Sequence, residues 1–517
     1  MIHGLRCTIL LVGALLGAVP GAHAQVTAPG MADAAPTPAD PWSEALGLKP
    51  CAPSGLGNDY QVGPAPGQLP SLDRVPWERL RGGDTVRVFY RPEPYKGKIL
   101  LLAQASADAP MRLCGVKGPG GERPVIDGQD AVAPRGMLYG HPVHESRSVL
   151  LINRLGSQDW RGYPSFIQVD GLQIRGAHPR HQFTDSEGKR RNYDAFGACV
   201  WVERGEHITL ADNEITDCSQ AIFSRSTPDG DFAVTKQLRI AGNYMHNIGI
   251  AGQFLEHITY IQSVGVVYEF NRYGLMREGS GGNAIKDRSV GVVIRYNRIE
   301  DGARALDLVE AEDYSETAVA NPDYRRTFVY GNQIVKDGRK GTTIHYGGDH
   351  PGNEAAYRKG TLYFFHNTVR LTGNDYAVLF QLSTFEERAQ VWNNVFWFDE
   401  AIPYPTLRAS QDNAPGIASG GAMELGRNWI VARWSDGGPW HKVAGKVTGT
   451  ERLIKGSRAP MDVETFVPRP GSEVIDAGLP GPSAASAYPV LWQLDAKGQP
   501  VRRLQRGTGP DLGAVER

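Results

Sequence analysis

From about residue 70 onward, short runs of Val, Ile, Leu, Phe and Tyr alternate with polar residues and are broken by Gly, Asn and Asp. Alternation with a period of two marks strands with one buried face, and no stretch keeps the period of a long helix. One phrase recurs: an apolar pair, then an Asn, one further residue and another apolar residue. It stands around Asn213 (LADNEI), Asn243 (IAGNYM), Asn271 (VYEFNRY) and Asn297 (IRYNRI). It returns around Asn332 (VYGNQI), Asn367 (FFHNTV), Asn394 (WNNVF) and Asn428 (GRNWI). Successive asparagines are 30, 28, 26, 35, 35, 27 and 34 residues apart. A core unit with loop insertions of variable length produces such scatter.

A unit of that length is one coil of short strands that cannot bury its apolar face alone. Stacking coils pairs strand with strand at about 4.8 Å and closes one continuous interior. The Asn suits a corner, because it tolerates the left-handed conformation and its amide can bond the next coil. Leucine-rich repeats lack support here, since their LxxLxL signature is missing, and propeller blades need longer units. The pattern therefore predicts an all-β chain, a right-handed parallel β-helix over residues 70–470. Asn213 through Asn428 should lie on one longitudinal edge.

The ends differ in texture. Arg6, the apolar run from Ile9 to Val19 and the Ala22-His23-Ala24 triplet read as a signal peptide over 1–24, implying a periplasmic or secreted protein. That run is too short to span a bilayer, so no membrane span is expected. Residues 25–69 read as an Ala/Pro-rich linker and N-terminal extension, and 471–517 as a closing segment. The formal net charge is −1, which becomes −2 without Arg6. This near-neutral balance argues against nucleic acid or a membrane surface as partner, and a monomer is expected. Cys51, Cys114, Cys199 and Cys218 remain after cleavage and show no zinc-site spacing, so disulfides are expected in an oxidising compartment. Three pairings are open; a Cys199–Cys218 bridge would leave Cys51 and Cys114 to tie down the N-terminal segment.

The opening GGDTVRVFYR (82–91) and GPGGERPVIDG (118–128) resemble the first coils of right-handed β-helix proteins of the pectate-lyase-like superfamily. EHITY (256–260), GNAIKDRS (282–289), LDLVEAED (306–313) and HYGGD (345–349) resemble a group of bacterial exported β-helix proteins labelled as polysaccharide-degrading enzymes. The endings IDAG (475–478) and DLGAVE (511–516) resemble the closing segment of such proteins. The resemblance implies the fold and a polysaccharide substrate. Calcium-dependent β-helix lyases use a Lys and an Arg one coil apart. Here Arg288 falls near the position of that Lys and Val309 near that of the Arg, so those roles are not carried over.

Alignment on the Asn corner sorts one strand of each coil into inside and outside positions. Val200, Ile222, Ile285, Leu306 and Ile344 should point inward, while Trp201, Phe223, Lys286, Asp307 and His345 stack outward in one column. Glu203, Arg225, Arg288 and Val309 form a second column. Lys286, Arg288, Asp307 and His345, with His257 and Tyr260, are the expected catalytic set, facing one solvent-exposed groove. Arg277, Arg225, Trp201, Tyr346 and Asp349 are candidate substrate contacts. The acidic run Glu310, Glu312, Asp313 is a candidate calcium site, since hard cations take several oxygen ligands.

A lyase acting on an acidic polysaccharide must neutralise the uronate carboxylate and remove the C5 proton with a suitable base. Arg288 suits the carboxylate; Lys286, His345, His257 or Tyr260 could take the proton. A glycoside hydrolase needs two carboxyls about 6.5–9.5 Å apart, which Asp307 with Glu310, Glu312 or Asp349 could supply. A C5-epimerase shares the lyase's first step. A non-catalytic glycan binder or surface structural protein would instead spread aromatic platforms over many coils, whereas the ionisable residues here concentrate on three.

Overall fold

The computed structural model describes residues 41–409, 420–438 and 443–517. The expected signal peptide and the first part of the linker lie outside the described residues. Among those described, three long sheets run the length of the chain, each made of parallel strands. Sheet 1 runs from Asp59–Val62 to Lys446–Thr448, sheet 2 from Val125–Asp127 to Ile454–Gly456, and sheet 3 from Ile99–Leu101 to Pro405–Ala409. A typical coil contributes Ala198–Val202 to sheet 3, Glu206–Ala211 to sheet 1 and Glu214–Thr216 to sheet 2. Each strand pairs in parallel with its equivalents one coil before and after. The chain is a parallel β-helix, and its interior is the aliphatic set that alternation predicts: Val200, Ile222, Ile285, Leu306 and Ile344 are all buried.

All eight asparagines share the corner between sheets 1 and 2. From Asn213 to Asn394, each side-chain amide donates to the side-chain oxygen of the Asn one coil on, at 2.8–3.2 Å. The other amide proton of Asn213 meets Val169 O at 3.0 Å, and that of Asn243 meets Leu210 O at 2.8 Å. The left-handed residue, however, is the one before the Asn. Asp212 (φ 49°), Phe270 (φ 56°), Tyr296 (φ 59°) and His366 (φ 51°) take that conformation. This lets the preceding residue turn the chain while the Asn stays inside, where its amide is fully bonded. The strain of about 1–2 kcal/mol per non-Gly residue is offset by buried hydrogen bonds worth about 1 kcal/mol each. Outside the corner the rings of Phe270 and Tyr296 stack at 5.1 Å.

The described segments before residue 70 and after 470 both join the solenoid. The reading of 25–69 as linker and extension stops short, because Asp59–Val62 already pairs with Thr85–Phe89. Four residues are too few to show alternation, so the strand is silent in the sequence. The 471–517 segment folds back over sheet 1: Tyr488 stacks on Phe328 at 3.7 Å and Trp492 meets Phe270 edge-on at 5.9 Å.

The cysteines pair as Cys51–Cys114 and Cys199–Cys218, with Cα separations of 5.8 and 5.7 Å. No helix among the described residues is long and apolar enough to cross a membrane. Thiol titration of unfolded, unreduced protein should therefore find none of these four cysteines free. The Cys51–Cys114 bridge spans 63 residues; closing a loop of that size constrains the unfolded chain by about 4 kcal/mol. Its loss should release the N-terminal segment.

Candidate functional site

Loop lengths decide where a ligand can approach. At the corner between sheets 3 and 1, the coils carrying Thr259–Ile261 and Ile285–Asp287 turn in two residues, Gln262–Ser263 and Arg288–Ser289. The coils on either side turn through long loops: 225–235 before, then 309–325 and 347–360 after. At the opposite edge of sheet 3 the loops 176–197, 247–258 and 274–284 rise. The two tight coils therefore form a low point on sheet 3 walled by loops on several sides.

The outward column of sheet 3 runs Trp201, Phe223, Tyr260, Lys286, Asp307, His345, Gln381 in register. Its first part is an aromatic stack, with Trp201–Phe223 at 4.0 Å and Phe223–Tyr260 at 5.3 Å. Phe196, from the 176–197 loop, covers all three rings at 5.4–6.2 Å. The column then turns ionic at Lys286.

Asp307 is the hub of the ionic part and is fully buried. It accepts from Lys286 Nζ at 2.8 Å, Asn283 Nδ2 at 2.8 Å and Arg304 at 3.1 Å, and bonds His345 Nδ1 at 2.7 Å. Burial opposes its charge, but Lys286 and Arg304, with the His345 hydrogen bond, hold its carboxyl well below the usual range. Lys286 also contacts Asp349 closely. Arg288 donates through Nε to Tyr260 Oη at 2.9 Å and through one terminal nitrogen to Glu310 O at 2.7 Å. Its other terminal nitrogen lies 3.1 Å from Asp349 Oδ1 and 3.3 Å from Glu312. Burial works against its charge, yet Tyr260, Asp349, Glu310 and Glu312 together hold the guanidinium protonated. Asp349 would be raised by burial, but Lys286 and Arg288 lower it to about 2.

His257 is also buried, and burial together with Lys286 pushes its pKa down to about 3. Asn283 N donates to its Nδ1 at 2.9 Å. The neutral ring therefore carries its proton on Nε2 and can only donate there. Tyr260 is half-buried; burial raises its pKa, opposed by Arg288 and Lys286.

Several expectations need correction. Tyr260, Lys286, Asp307 and His345 share one column, with Arg288 in the turn after it and His257 in the loop before it. The set is not solvent-exposed, however: side-chain exposure is 6% for Lys286, 3% for Arg288 and 0% for His345. The long loops that alternation cannot see fold over it. His345 is no candidate base, since Nδ1 meets Asp307 and Nε2 meets Ser383 Oγ at 3.0 Å. Trp201 is no open sugar platform, because it is buried under Phe196 and its Nε1 donates to Glu203 at 2.8 Å. Tyr346 alternates inward, pairing in register with Leu308 and Leu382. Arg277 lies elsewhere, donating to Asp217 at 2.8 Å and Gly249 O at 2.8 Å. Arg225 is part-exposed on the second column and pairs with Glu203 at 2.9 Å.

The acidic run splits. Asp313 accepts from Gln262 Nε2 at 2.7 Å, away from its neighbours. Glu310 turns in and accepts from Asp349 N and His350 N, both at 3.0 Å. Glu310, Asp349 and His350 bring ligand atoms within 4.8 Å of one another. The set does not fit calcium, which wants six to eight oxygens. One member is an imidazole, the Glu310 oxygens already accept backbone N–H groups, and Arg288 supplies the positive charge among these carboxylates.

Sequence reasoning missed Asn283, Arg304, His350 and Arg358. Asn283 bonds both His257 and Asp307, and Arg304 accompanies Lys286 on Asp307. All four sit in loops, outside the strand phase that sorted the rest.

No protein-family model matches the chain, and no curated relative matches. Among solved structures, a pectate lyase Pel9A is similar at TM-score 0.37 and 11% identity, covering 90% of this chain and 98% of its own. An alginate lyase from Paenibacillus sp. str. FPU-7 follows at TM-score 0.27 and 12% identity, covering 73% and 94%. A mutant DFA-IIIase from Arthrobacter chlorophenolicus A6, in complex with DFA-III, stands at TM-score 0.25 and 9% identity, covering 72% and 82%. None of these likenesses transfers a residue role.

Proposed function

We propose that the protein is an exported enzyme acting on an acidic polysaccharide, and that it cleaves beside a uronate by β-elimination. One observation carries this reading: Lys286 and Arg288, both buried, converge on a single carboxylate position at the opening, with Tyr260 Oη bonded to Arg288. A uronate carboxylate at that position would meet two cations in a low-dielectric setting, where enolate-like charge is best stabilised.

Elimination among the candidates leaves Tyr260 as the base. His345 has both nitrogens engaged, His257 Nε2 carries a proton, and Lys286 Nζ is engaged by Asp307 and Asp349. As phenolate, Tyr260 takes the C5 proton, the C4–C5 double bond forms and the C4–O4 bond breaks. The phenol then returns the proton to the leaving oxygen, so no further acid is required. Because burial raises the Tyr260 pKa, turnover should climb with pH on the alkaline side of neutrality.

Purified protein incubated with a panel of uronate polysaccharides should generate absorbance near 235 nm. Tyr260→Phe should lower kcat by about 100-fold or more while leaving substrate binding in place. New reducing ends without absorbance would replace the lyase reading by hydrolysis. That alternative has its own support, because the solvent-facing acids of the site are Asp349 and Glu312, at 23% and 39% side-chain exposure. A C5-epimerase would produce neither signal.

A further inference from the structure

Asp349 sits where the reading above seats the substrate. Its two carboxylate oxygens are divided between Lys286 and Arg288. It therefore has the charge, shape and bidentate engagement of a uronate carboxylate, but it belongs to the protein. We propose that Lys286 and Arg288 form an anion subsite that Asp349 keeps filled, and that only a ligand bringing its own negative charge, a uronate carboxylate, displaces it.

Three features support an exchange. First, Asp349 comes from the 347–360 loop and keeps 23% of its side chain exposed, whereas its cationic partners keep 6% and 3%. The carboxylate is at the door and the cations are behind it. Second, glycines with positive φ flank it: Gly347 (φ 135°) and Gly352 (φ 87°). Such positions accept a change of backbone direction that side-chain-bearing residues resist. Third, the two buried anions cannot take over Asp349's role, which leaves Glu312, 3.3 Å from Arg288, as the one other acid beside the guanidinium among those described. Asp307 already serves Lys286, Arg304, Asn283 and His345, and Glu310 accepts two loop N–H groups besides facing Arg288.

A neutral sugar that pushed Asp349 aside would leave two charged donors facing hydroxyls in a dry setting. A uronate replaces one carboxylate by another and leaves the local charge unchanged. The discrimination is electrostatic, and it excludes neutral glycans before any chemistry occurs. This rests on the carboxylate-subsite reading of Lys286 and Arg288, but its test needs no turnover.

Calorimetric titration of the full chain with galacturonate and glucuronate, and with galactose as neutral control, compares wild type with Asp349→Asn. The variant should bind at least one uronate about 10-fold or more tighter, and galactose no better. A folded Asp349→Asn protein, with unchanged circular dichroism and melting, whose uronate affinities stay within about twofold of wild type overturns the proposal. Hydrogen exchange on the wild type gives a second reading that does not depend on the variant. A bound uronate oligosaccharide should speed exchange of the Asp349 and His350 amides, now bonded to Glu310; unchanged exchange under saturation overturns the proposal as well. Tighter binding by the variant without any cleavage by wild type would keep the subsite and retire the lyase. Cleavage by wild type without that tightening would do the reverse.

Discussion

Replacing Asp307 by Ala is expected to lower folding stability by about 3–5 kcal/mol and to abolish turnover. The carboxylate is fully buried and bonded to Lys286, Asn283, Arg304 and His345. Its removal strands the Lys286 ammonium, whose only other carboxylate partner among the described residues is Asp349, on the open side of the subsite. Asp307→Asn keeps the shape but not the charge, so it should cost less than Ala in denaturant melts while still depressing turnover. The pH dependence follows from the direction of the shifts. Asp307 and Asp349 both have folded pKa values below their unfolded ones. Their contribution is complete above about pH 4, near the unfolded value. It falls away as pH drops through the folded values, about 2 for Asp349. Wild type should thus lose stability below about pH 4 more steeply than Asp307→Asn. Parallel acid-denaturation curves for the two would show that Asp307 is not the hub.

The fold was legible because a single residue type recurs at one point of every coil. The ladder from Asn213 to Asn428 is continuous. Once it is recognised, phase alone places Lys286 beside Asp307 and Asp307 beside His345. Even the tie between coils at Arg288 follows, since its amide bonds Ile261 O and Val309 N bonds Asp287 O.

Phase says nothing about what lies on top. An outward side chain on a bare sheet would be solvated, and Arg288 would then contribute little to folding. Here the 347–360 loop and Glu310 close over it, so Arg288→Ala should damage stability as well as function. The same blindness explains Trp201, which is outward in register yet sealed by Phe196 from a loop. Tyr346 shows the opposite error. It follows His345 directly, and strict alternation turns it inward, so adjacency in sequence placed it on the wrong face. Loop residues such as Asn283 and His350 carry no period, and only their three-dimensional neighbours reveal them.

Removal of Arg358 should be as costly as removal of Asp307, and for a reason that reaches the site from below. Asp287 is the inward residue between Lys286 and Arg288, so alternation drives a carboxylate into the interior. Arg358 meets it there with neither side chain exposed. Its guanidinium donates to Asp287 Oδ1 at 2.7 Å and to the carbonyls of Asp287, Ser289 and Val309, each at 2.9 Å. Tyr268 completes the carboxylate at 2.6 Å. One arginine from the end of the 347–360 loop thus pins that loop to the tight Arg288–Ser289 turn. Arg358→Leu leaves a buried carboxylate without its cation and takes the guanidinium donors from the Ser289 and Val309 carbonyls, at about 3–5 kcal/mol. The double variant Asp287→Leu/Arg358→Leu removes both charges and should recover much of that loss, because a buried ion pair and an apolar replacement are often close in stability. Turnover should not recover with it, since the pin on the Asp349 loop is gone. Denaturant melts of the two singles and the double measure the coupling, and kcat and KM on a verified substrate report the loop. A single Arg358→Leu variant within about 1 kcal/mol of wild type would mean that water reaches Asp287, and the dry interior assigned to this coil would be wrong.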